Sequence, residues 1–227
     1  MDSLPTSQDV DNGSSEDEPS NDESSNDDSS KEPEILADLI TTNLETSLFE
    51  ERPQKFLPLS HLDSLITEKS VRDTLKLSTK DRRAAKLVRW ICEEARKLFV
   101  VVVQTFTDKD NLMLSAMKKF KNANFADKDL PAPPFQWNSA RADKSGWRDE
   151  RFPKTWSLGS LVKFHDMQWR VLAPIFEEEK FHYDLDPNTI LPIIWKEDRH
   201  QSGNFSKVFK AELHKLHQKY QSVYTTV

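Results

Sequence analysis

The feature that most limits how this 227-residue chain can fold is an abrupt change in composition near residue 34. Residues 1–33 consist almost entirely of Ser, Asp, Glu, Asn, Pro and Gln, so they offer few apolar side chains whose burial could offset the entropy cost of ordering. The sequence therefore predicts a disordered acidic tail over residues 1–33. We divide the remainder into a helical N-terminal region, residues 34–180, and a further segment, residues 181–227.

The tail carries most of the negative charge of the chain. Residues 1–34 hold twelve acidic side chains and one basic side chain, a net charge of −11, whereas the rest holds 26 acidic and 31 basic side chains, a net charge of +5. Ser14, Ser15, Ser24 and Ser25 each have an acidic residue three positions later. This spacing is typical of sites for an acidophilic kinase, and we predict these four serines as candidate phosphorylation sites. The alternative is a solubilising tail in which the serines have no such role.

Cysteine content and hydropathy argue against a disulfide-bonded secreted protein and against a membrane-spanning protein. A single cysteine, Cys92, cannot form an internal disulfide, and a cytoplasmic or nuclear location is the expectation that follows. The N-terminus lacks the basic start and the apolar core of a secretory signal. The longest fully apolar run, residues 98–103, is far shorter than the roughly 20 residues that span a bilayer. We therefore expect no membrane partner.

Apolar residues recur at helical spacing in several segments of the N-terminal region. The pattern predicts helices that begin at Ile35, at Ser60 and at Ser78 or Thr79, with the second reaching about Leu75. In the first, the periodicity extends to Phe49. The third helix carries an apolar stripe one face wide, made of Leu87, Val88, Ile91, Ala95, Leu98, Phe99 and Val102. The β-branched run at its end could form a buried strand, but the periodic residues before it favour continuation of the helix.

Two shorter helices are predicted on either side of a long connection. The first covers residues 110–121, and the second is capped by Ser157 and ended by Pro174. The connection contains three tryptophans, Trp137, Trp147 and Trp156. Together with neighbouring arginines, they could stack on bases of single-stranded nucleic acid. No continuous basic stripe accompanies them, so we expect them to anchor the connection on the helical core and expect no nucleic-acid partner.

Beyond Pro174 the hydrophobic period drops to two, which is typical of strands. A turn is predicted around Pro187, followed by strands at residues 191–196 and 207–213 that flank a polar segment containing Gly203. This order predicts a β-hairpin and, with the helices, an α+β fold. Because two-stranded units are marginal alone, we expect amides from residue 196 onward to exchange quickly.

This last segment resembles the first two strands of the N-lobe of a protein kinase. The order LPIIW-KEDRHQSGNFSKVFKAELH is that of a strand, a glycine-containing loop and a second strand, and the loop pattern of kinases is G-x-G-x-x-G-x-V. The preceding segments FHDMQWRVLAPIF and FHYDLDPNTILPIIWKED are similar to the region before the catalytic domain in serine/threonine kinase-like proteins of filamentous fungi. The similarity covers about residues 80–220.

The resemblance implies a nucleotide-binding loop whose ligand would be ATP with Mg²⁺. Phe205 takes the position of the aromatic residue at the loop tip, Val208 that of the valine that packs on adenine, and Gly203 that of the second glycine. Gln201 and Ser206 replace the first and third glycines, and Gln201 places a side chain where the kinase backbone turns closely. The implied loop residues are Gln201, Ser202, Gly203, Asn204, Phe205, Ser206 and Val208.

The resemblance assigns no catalytic residue to this chain. The third-strand lysine, the catalytic-loop aspartate and the metal-binding aspartate of kinases all lie further along the fold than Val227, and Lys207 and Lys210 belong to the second strand. We therefore expect a chain that stops before its catalytic residues and does not transfer phosphate by itself.

Two other readings compete with a nucleotide-binding function. The first is a non-enzymatic helical interaction module that binds a protein partner through the apolar stripe at residues 87–102, or docks its basic core against the acidic tail. The second is nucleic-acid binding by the core of net charge +5, which we do not expect because its positive charges alternate with acidic ones.

The spacing of His214 and His217 could place them on one helical face as metal ligands. No cysteine or acidic pair stands near them at ligand spacing, so we expect no metal there.

Overall fold

The computed structural model describes residues 35–107, 109–133, 150–180, 182–197, 201–202, 207–208 and 210–219. Within these residues the chain combines helices with short strands, in agreement with an α+β class. The predicted acidic tail, with Ser14, Ser15, Ser24 and Ser25, lies outside the described residues.

The helices and strands follow one another in two groups, a mainly helical part and a C-terminal part built from short strands. The helices are α1 (Leu36–Thr42), α2 (Leu59–Leu65), α3 (Glu68–Thr74), α4 (Arg82–Glu94), α5 (Arg96–Thr105), α6 (Asp110–Asn122) and α7 (Leu158–Gln168). The strands are β1 (Glu45–Ser47), β2 (Gln54–Phe56), β3 (Phe176–Glu177), β4 (Ile193–Lys196), β5 (Gln201–Ser202), β6 (Lys207–Val208), β7 (Ala211–Leu213) and β8 (Gln218–Lys219). Short 3-10 turns occupy Asp127–Asp129, Trp169–Val171 and Lys215–His217.

The first helix is shorter than its periodicity predicts. The amide group of Asn43 donates through Nδ2 to the Leu39 carbonyl oxygen at 2.8 Å, which satisfies one of the last helical carbonyls. After Asn43 the chain enters β1, which pairs antiparallel with β2. The prediction that the helix extends to Phe49 is therefore wrong.

The second predicted helix is divided into α2 and α3. Ile66 and Thr67 leave the helical conformation, and the Thr67 hydroxyl accepts the Ser70 amide at 3.2 Å while the Ser70 hydroxyl accepts the Thr67 amide at 2.9 Å. This reciprocal capping box, with Thr67 as the N-cap, starts α3 at Glu68, two residues after Ile66.

The long helix with the apolar stripe is present, but it is interrupted. Asp81, rather than Ser78 or Thr79, is the N-cap, and its carboxylate accepts the Arg83 amide at 2.7 Å. Ala95 has φ −137° and ψ 33°, so α4 ends there and α5 begins with the next residue. The β-branched run is helical, as predicted, and residues 98–105 are all buried.

The break at Ala95 is stabilised from a distant part of the chain. The Asp127 carboxylate accepts the amides of Lys97 and Leu98 at 3.0 and 2.8 Å and so caps the start of α5. Burial raises the pKa of the Asp127 carboxyl, and the hydrogen bonds from Leu98 and Lys97 oppose that rise.

The helical core is centred on α5, which packs against α1, α4, α6 and α7. The predicted helices α6 and α7 are confirmed, including the N-cap of α7, where the Ser157 hydroxyl accepts the Ser160 amide at 3.1 Å. The predicted end of α7 at Pro174 is wrong, because the helix ends at Gln168 and Trp169–Val171 form a 3-10 turn. Between them lies a group of aromatic rings with centroids 4.8 to 6.0 Å apart, comprising Phe106, Phe120, Phe125, Phe152, Trp156 and Phe164. Trp156 thus anchors the end of the connection on the core, whereas Trp137 and Trp147 lie outside the described residues.

The C-terminal strands form the antiparallel pairing that the sequence predicts. β4 pairs with β7, and β5 pairs with β6 between them. The turn around Pro187 is also present, since the Asp186 carboxylate accepts the Asn188 amide at 2.8 Å. The sequence did not predict the parallel pairing of β3 with β8.

Candidate functional site

The loop that resembles a nucleotide-binding loop lies between β5 and β6. In the backbone register, Gln201 is opposite Val208 and Ser202 is opposite Lys207. The structure therefore brings both ends of the predicted loop together. Gly203, Asn204, Phe205 and Ser206 lie outside the described residues.

The strands that carry this loop are attached to the N-terminal part of the chain. The Ser47 hydroxyl donates to the Leu191 carbonyl oxygen at 2.6 Å, and the Leu48 amide donates to the Ile193 carbonyl oxygen at 2.8 Å. The Lys196 ammonium donates to the carbonyl oxygen of Phe49 at 2.9 Å. The hairpin is not an isolated two-stranded unit, so the reason given for fast amide exchange is incorrect.

Two histidines attach the end of the hairpin to the helical region. His214 caps the 3-10 turn Lys215–His217 and His217 ends it, with their ring centroids 5.6 Å apart, and both are buried. Both rings pack edge-on against Phe56, at 5.9 and 5.3 Å. Phe56 belongs to β2, so the turn packs directly on the N-terminal strand pair.

The hydrogen bonds of His214 define the tautomer of its neutral ring. Its Nδ1 accepts the Leu216 amide at 3.3 Å, and its Nε2 lies 3.2 Å from the Glu45 carboxylate. In the neutral ring the proton therefore resides on Nε2 and is donated to Glu45.

The hydrogen bonds that the structure describes for His217 involve only one of its two ring nitrogens. Its Nδ1 lies 3.0 Å from the Pro174 carbonyl oxygen, which can only accept, so Nδ1 carries the proton and Nε2 is a bare lone pair. His217 is 1% exposed, and Nε2 has no hydrogen-bond partner among the residues that the structure describes.

Burial lowers the pKa of His217 below its ordinary value. The hydrogen bond to Pro174 and the charge of Glu45 oppose this effect, whereas a positive charge at Lys97 or His214 adds to it. A buried neutral imidazole with a free lone pair is a hydrogen-bond acceptor, and it can also serve as a proton acceptor.

The spacing of His214 and His217 is visible in the sequence, but their hydrogen-bond partners could not be predicted from it. Glu45 lies 169 residues before His214 and Pro174 lies 43 residues before His217, and no local pattern links these positions. In the described part of the chain, no group of three or more His, Cys, Asp or Glu side chains is arranged to hold a metal ion.

The apolar stripe that we considered as a partner-binding surface faces the interior. Leu87, Val88, Ile91, Leu98 and Val102 are between 0 and 4% exposed. The stripe is part of the core and is not accessible to a partner, which corrects that expectation. No helix in the described ranges is long and apolar enough to cross a membrane.

Comparisons with known proteins leave the family open. No family model matches the chain, and no match was found among curated proteins or among solved structures. The resemblance to protein kinases therefore rests on the sequence motifs of residues 80–220 alone.

Proposed function

We propose that the chain is a protein-kinase-family polypeptide whose β4–β7 hairpin covers the phosphates of a nucleotide, with Mg-ATP as the ligand. The observation that carries the proposal is the β5–β6 register, in which Gln201 is opposite Val208 at the ends of the loop containing Gly203. A short polar loop between paired strands can direct backbone amides toward an anion.

In this proposal the helical region has a supporting role. It holds the hairpin through the hydrogen bonds from Ser47 and Leu48 and through the two histidines. A loop that covers a nucleotide needs strands of fixed position on both sides, and attachment to a rigid helical core supplies that constraint.

The proposed activity of these 227 residues is binding rather than phosphoryl transfer. Transfer needs a lysine that pairs with the phosphates, a metal-binding aspartate and a residue that orients the nucleophile, and the resemblance assigns none of these to the chain. Lys207 lies on β6 and Lys210 directly before β7, so neither takes the place of the third-strand lysine.

The test is Mg-ATP binding by the full chain, measured by calorimetry and by thermal shift. We expect saturable binding, with a stabilisation of about 2.7 kcal/mol when the nucleotide is at a hundredfold excess over Kd. Val208→Asp should abolish binding. Val162→Asp is the matched control, because Val162 is 47% exposed on α7, and this variant should bind like the wild type.

Absence of binding by the wild type, or equal binding by Val208→Asp, would overturn the proposal. A thermal shift with a protein partner and none with nucleotide would instead support the alternative of a helical interaction module.

A further inference from the structure

The turn after β7 and the last described strand form a segment that attaches the hairpin to the rest of the chain. We call residues 214–219 the C-terminal strap. It is held by the His214–Glu45 and His217–Pro174 hydrogen bonds, by the parallel pairing of β8 with β3, and by an ion pair between Lys219 and Glu177. The ion pair is exposed to solvent, so it contributes little. Among the residues of the strap, His217 is the most deeply buried, at 1% exposure against 6% for His214.

The position of the proton on His217 makes this attachment sensitive to protonation. The neutral ring donates through Nδ1 to Pro174, and its Nε2 lone pair points into a region where the described residues offer it no hydrogen-bond partner. A proton added at Nε2 would create a buried cation whose new N–H finds no acceptor in the part of the chain that the structure describes. Such a group is far more costly to bury than the neutral ring.

The surrounding charges do not compensate for that added proton. His214 lies on the same turn and Lys97 on α5, and both disfavour a positive charge on His217. Glu45 on β1 favours it, but its carboxylate is already engaged by His214.

Two neighbouring elements also carry ionisable groups. On β3, Glu177 is paired with Lys219. On α2, which packs against the 3-10 turn, Asp63 is paired with Arg96, and His61 is the other titratable side chain. The paired carboxylates are therefore committed to other cations.

We propose that His217 is a pH-sensitive latch: the neutral ring holds the C-terminal strap against Phe56 and Pro174, and protonation of Nε2 releases the strap. The latch operates whether or not the hairpin binds a nucleotide. Release of residues 214–219 would loosen the hairpin from the helical core while the core itself stays folded.

The direction of the pH effect follows from the protonation of the two states. Burial lowers the pKa of His217 in the docked strap below its ordinary value of 6.5. The released strap therefore binds a proton at a pH where the docked strap does not. Docking is fully favourable above about pH 6.5 and weakens as the pH falls toward the docked pKa. For each unit by which docking lowers the pKa of His217, the equilibrium constant for docking falls by up to about tenfold between neutral pH and a pH below both pKa values.

The test is amide exchange of the full chain followed by NMR between pH 8 and pH 5, with rates corrected for the intrinsic effect of pH. The reporter is the His217 amide, which donates to the His214 carbonyl oxygen at 2.9 Å, and the reference is the Phe99 amide in α5. We expect protection of the His217 amide to fall as the pH drops below 6.5, while that of Phe99 stays constant.

Two variants separate the latch from a general acid effect. His217→Asn keeps a side-chain donor for Pro174 but cannot titrate in this range, so the pH dependence of strap protection should disappear. His182→Asn, at an exposed position, should leave it unchanged. Equal pH dependence in wild type and His217→Asn would overturn the proposal.

A measurement on the wild type alone covers the case in which His217→Asn does not fold. NMR titration of the His217 ring should give a pKa below 6.5 with the proton of the neutral form on Nδ1. A pKa at or above 6.5, or a neutral form protonated on Nε2, would contradict the latch.

Discussion

The hydroxyl of Ser47 donates a 2.6 Å hydrogen bond to the carbonyl oxygen of Leu191, 144 residues later in the chain. Ser47 is 2% exposed and belongs to β1, whereas Leu191 lies just before β4. This bond joins the N-terminal strand pair to the hairpin that carries the proposed nucleotide-binding loop, so β1 and the start of β4 are held together directly.

Replacement of Ser47 should weaken that connection. Ser47→Ala removes the donor, and among the described residues the Leu191 carbonyl keeps the Ile193 amide at 2.8 Å, so we expect a loss of about 1 kcal/mol in the free energy of unfolding. Urea denaturation measures it. Ser64→Ala is the matched control, since the exposed Ser64 hydroxyl makes a local bond to His61, and its effect should stay within about 0.5 kcal/mol. Equal losses would show that the long-range bond contributes nothing specific.

Amide exchange should show that the hairpin is protected. The amides of Leu48, Glu197 and His214 donate to the carbonyl oxygens of Ile193, Lys210 and Pro192 at 2.8 to 2.9 Å. We expect them to exchange much more slowly than unstructured amides at neutral pH, in contrast to the fast exchange that an isolated hairpin would show. Exchange of all three at intrinsic rates would mean that the attachment through β1 does not persist in solution.

The start of α5 should depend on Asp127. Asp127→Ala leaves the Lys97 and Leu98 amides without their carboxylate acceptor at a buried helix start, and we expect a loss of about 1–2 kcal/mol by chemical denaturation. Asp166→Ala, with a side chain 64% exposed on α7, provides the control and should have little effect. If both variants lose the same amount, Asp127 is not a functional helix cap.

The aromatic group should be the most sensitive part of the core. Phe164 is 1% exposed and its ring lies 5.2 to 6.0 Å from those of Phe120, Phe152 and Trp156. Phe164→Ala should cost about 3–5 kcal/mol, because it leaves a cavity among rings that cannot all move in.

Phe176→Ala serves as the comparison for this prediction. Phe176 is only partly buried beside Tyr183, so its loss should be clearly smaller. A cost for Phe164→Ala no larger than that of Phe176→Ala would show that the group is loosely packed.

Features encoded by neighbouring residues were predictable. The α7 N-cap depends on Ser157 and Ser160, and the turn around Pro187 depends on Asp186 and Asn188, so each lies within a few residues of its partner. Hydrophobic period alone also identified the helical character of α4, α5 and α6 and the strand character of β4 and β7.

Features that depend on distant partners were not predictable. The break at Ala95 lies inside an unbroken apolar stripe, and the side chain that caps the new helix start, Asp127, is 30 residues from Lys97. The end of α1 gave a similar error, because β1 is stabilised as a strand by pairing with β2 rather than by its own propensity.

The sequence by itself determined the helical character of α4 to α7, the strand character of β4 and β7, and the difference in charge between the acidic residues 1–34 and the rest, because these properties arise from composition and local periodicity. Only the tertiary structure decided that the hairpin is attached through Ser47 and that His217 is buried against Pro174, with no partner for its other ring nitrogen among the described residues. Those contacts join residues far apart in the chain, and their energy comes from burial and hydrogen bonding that exist only once the helices and strands have packed together.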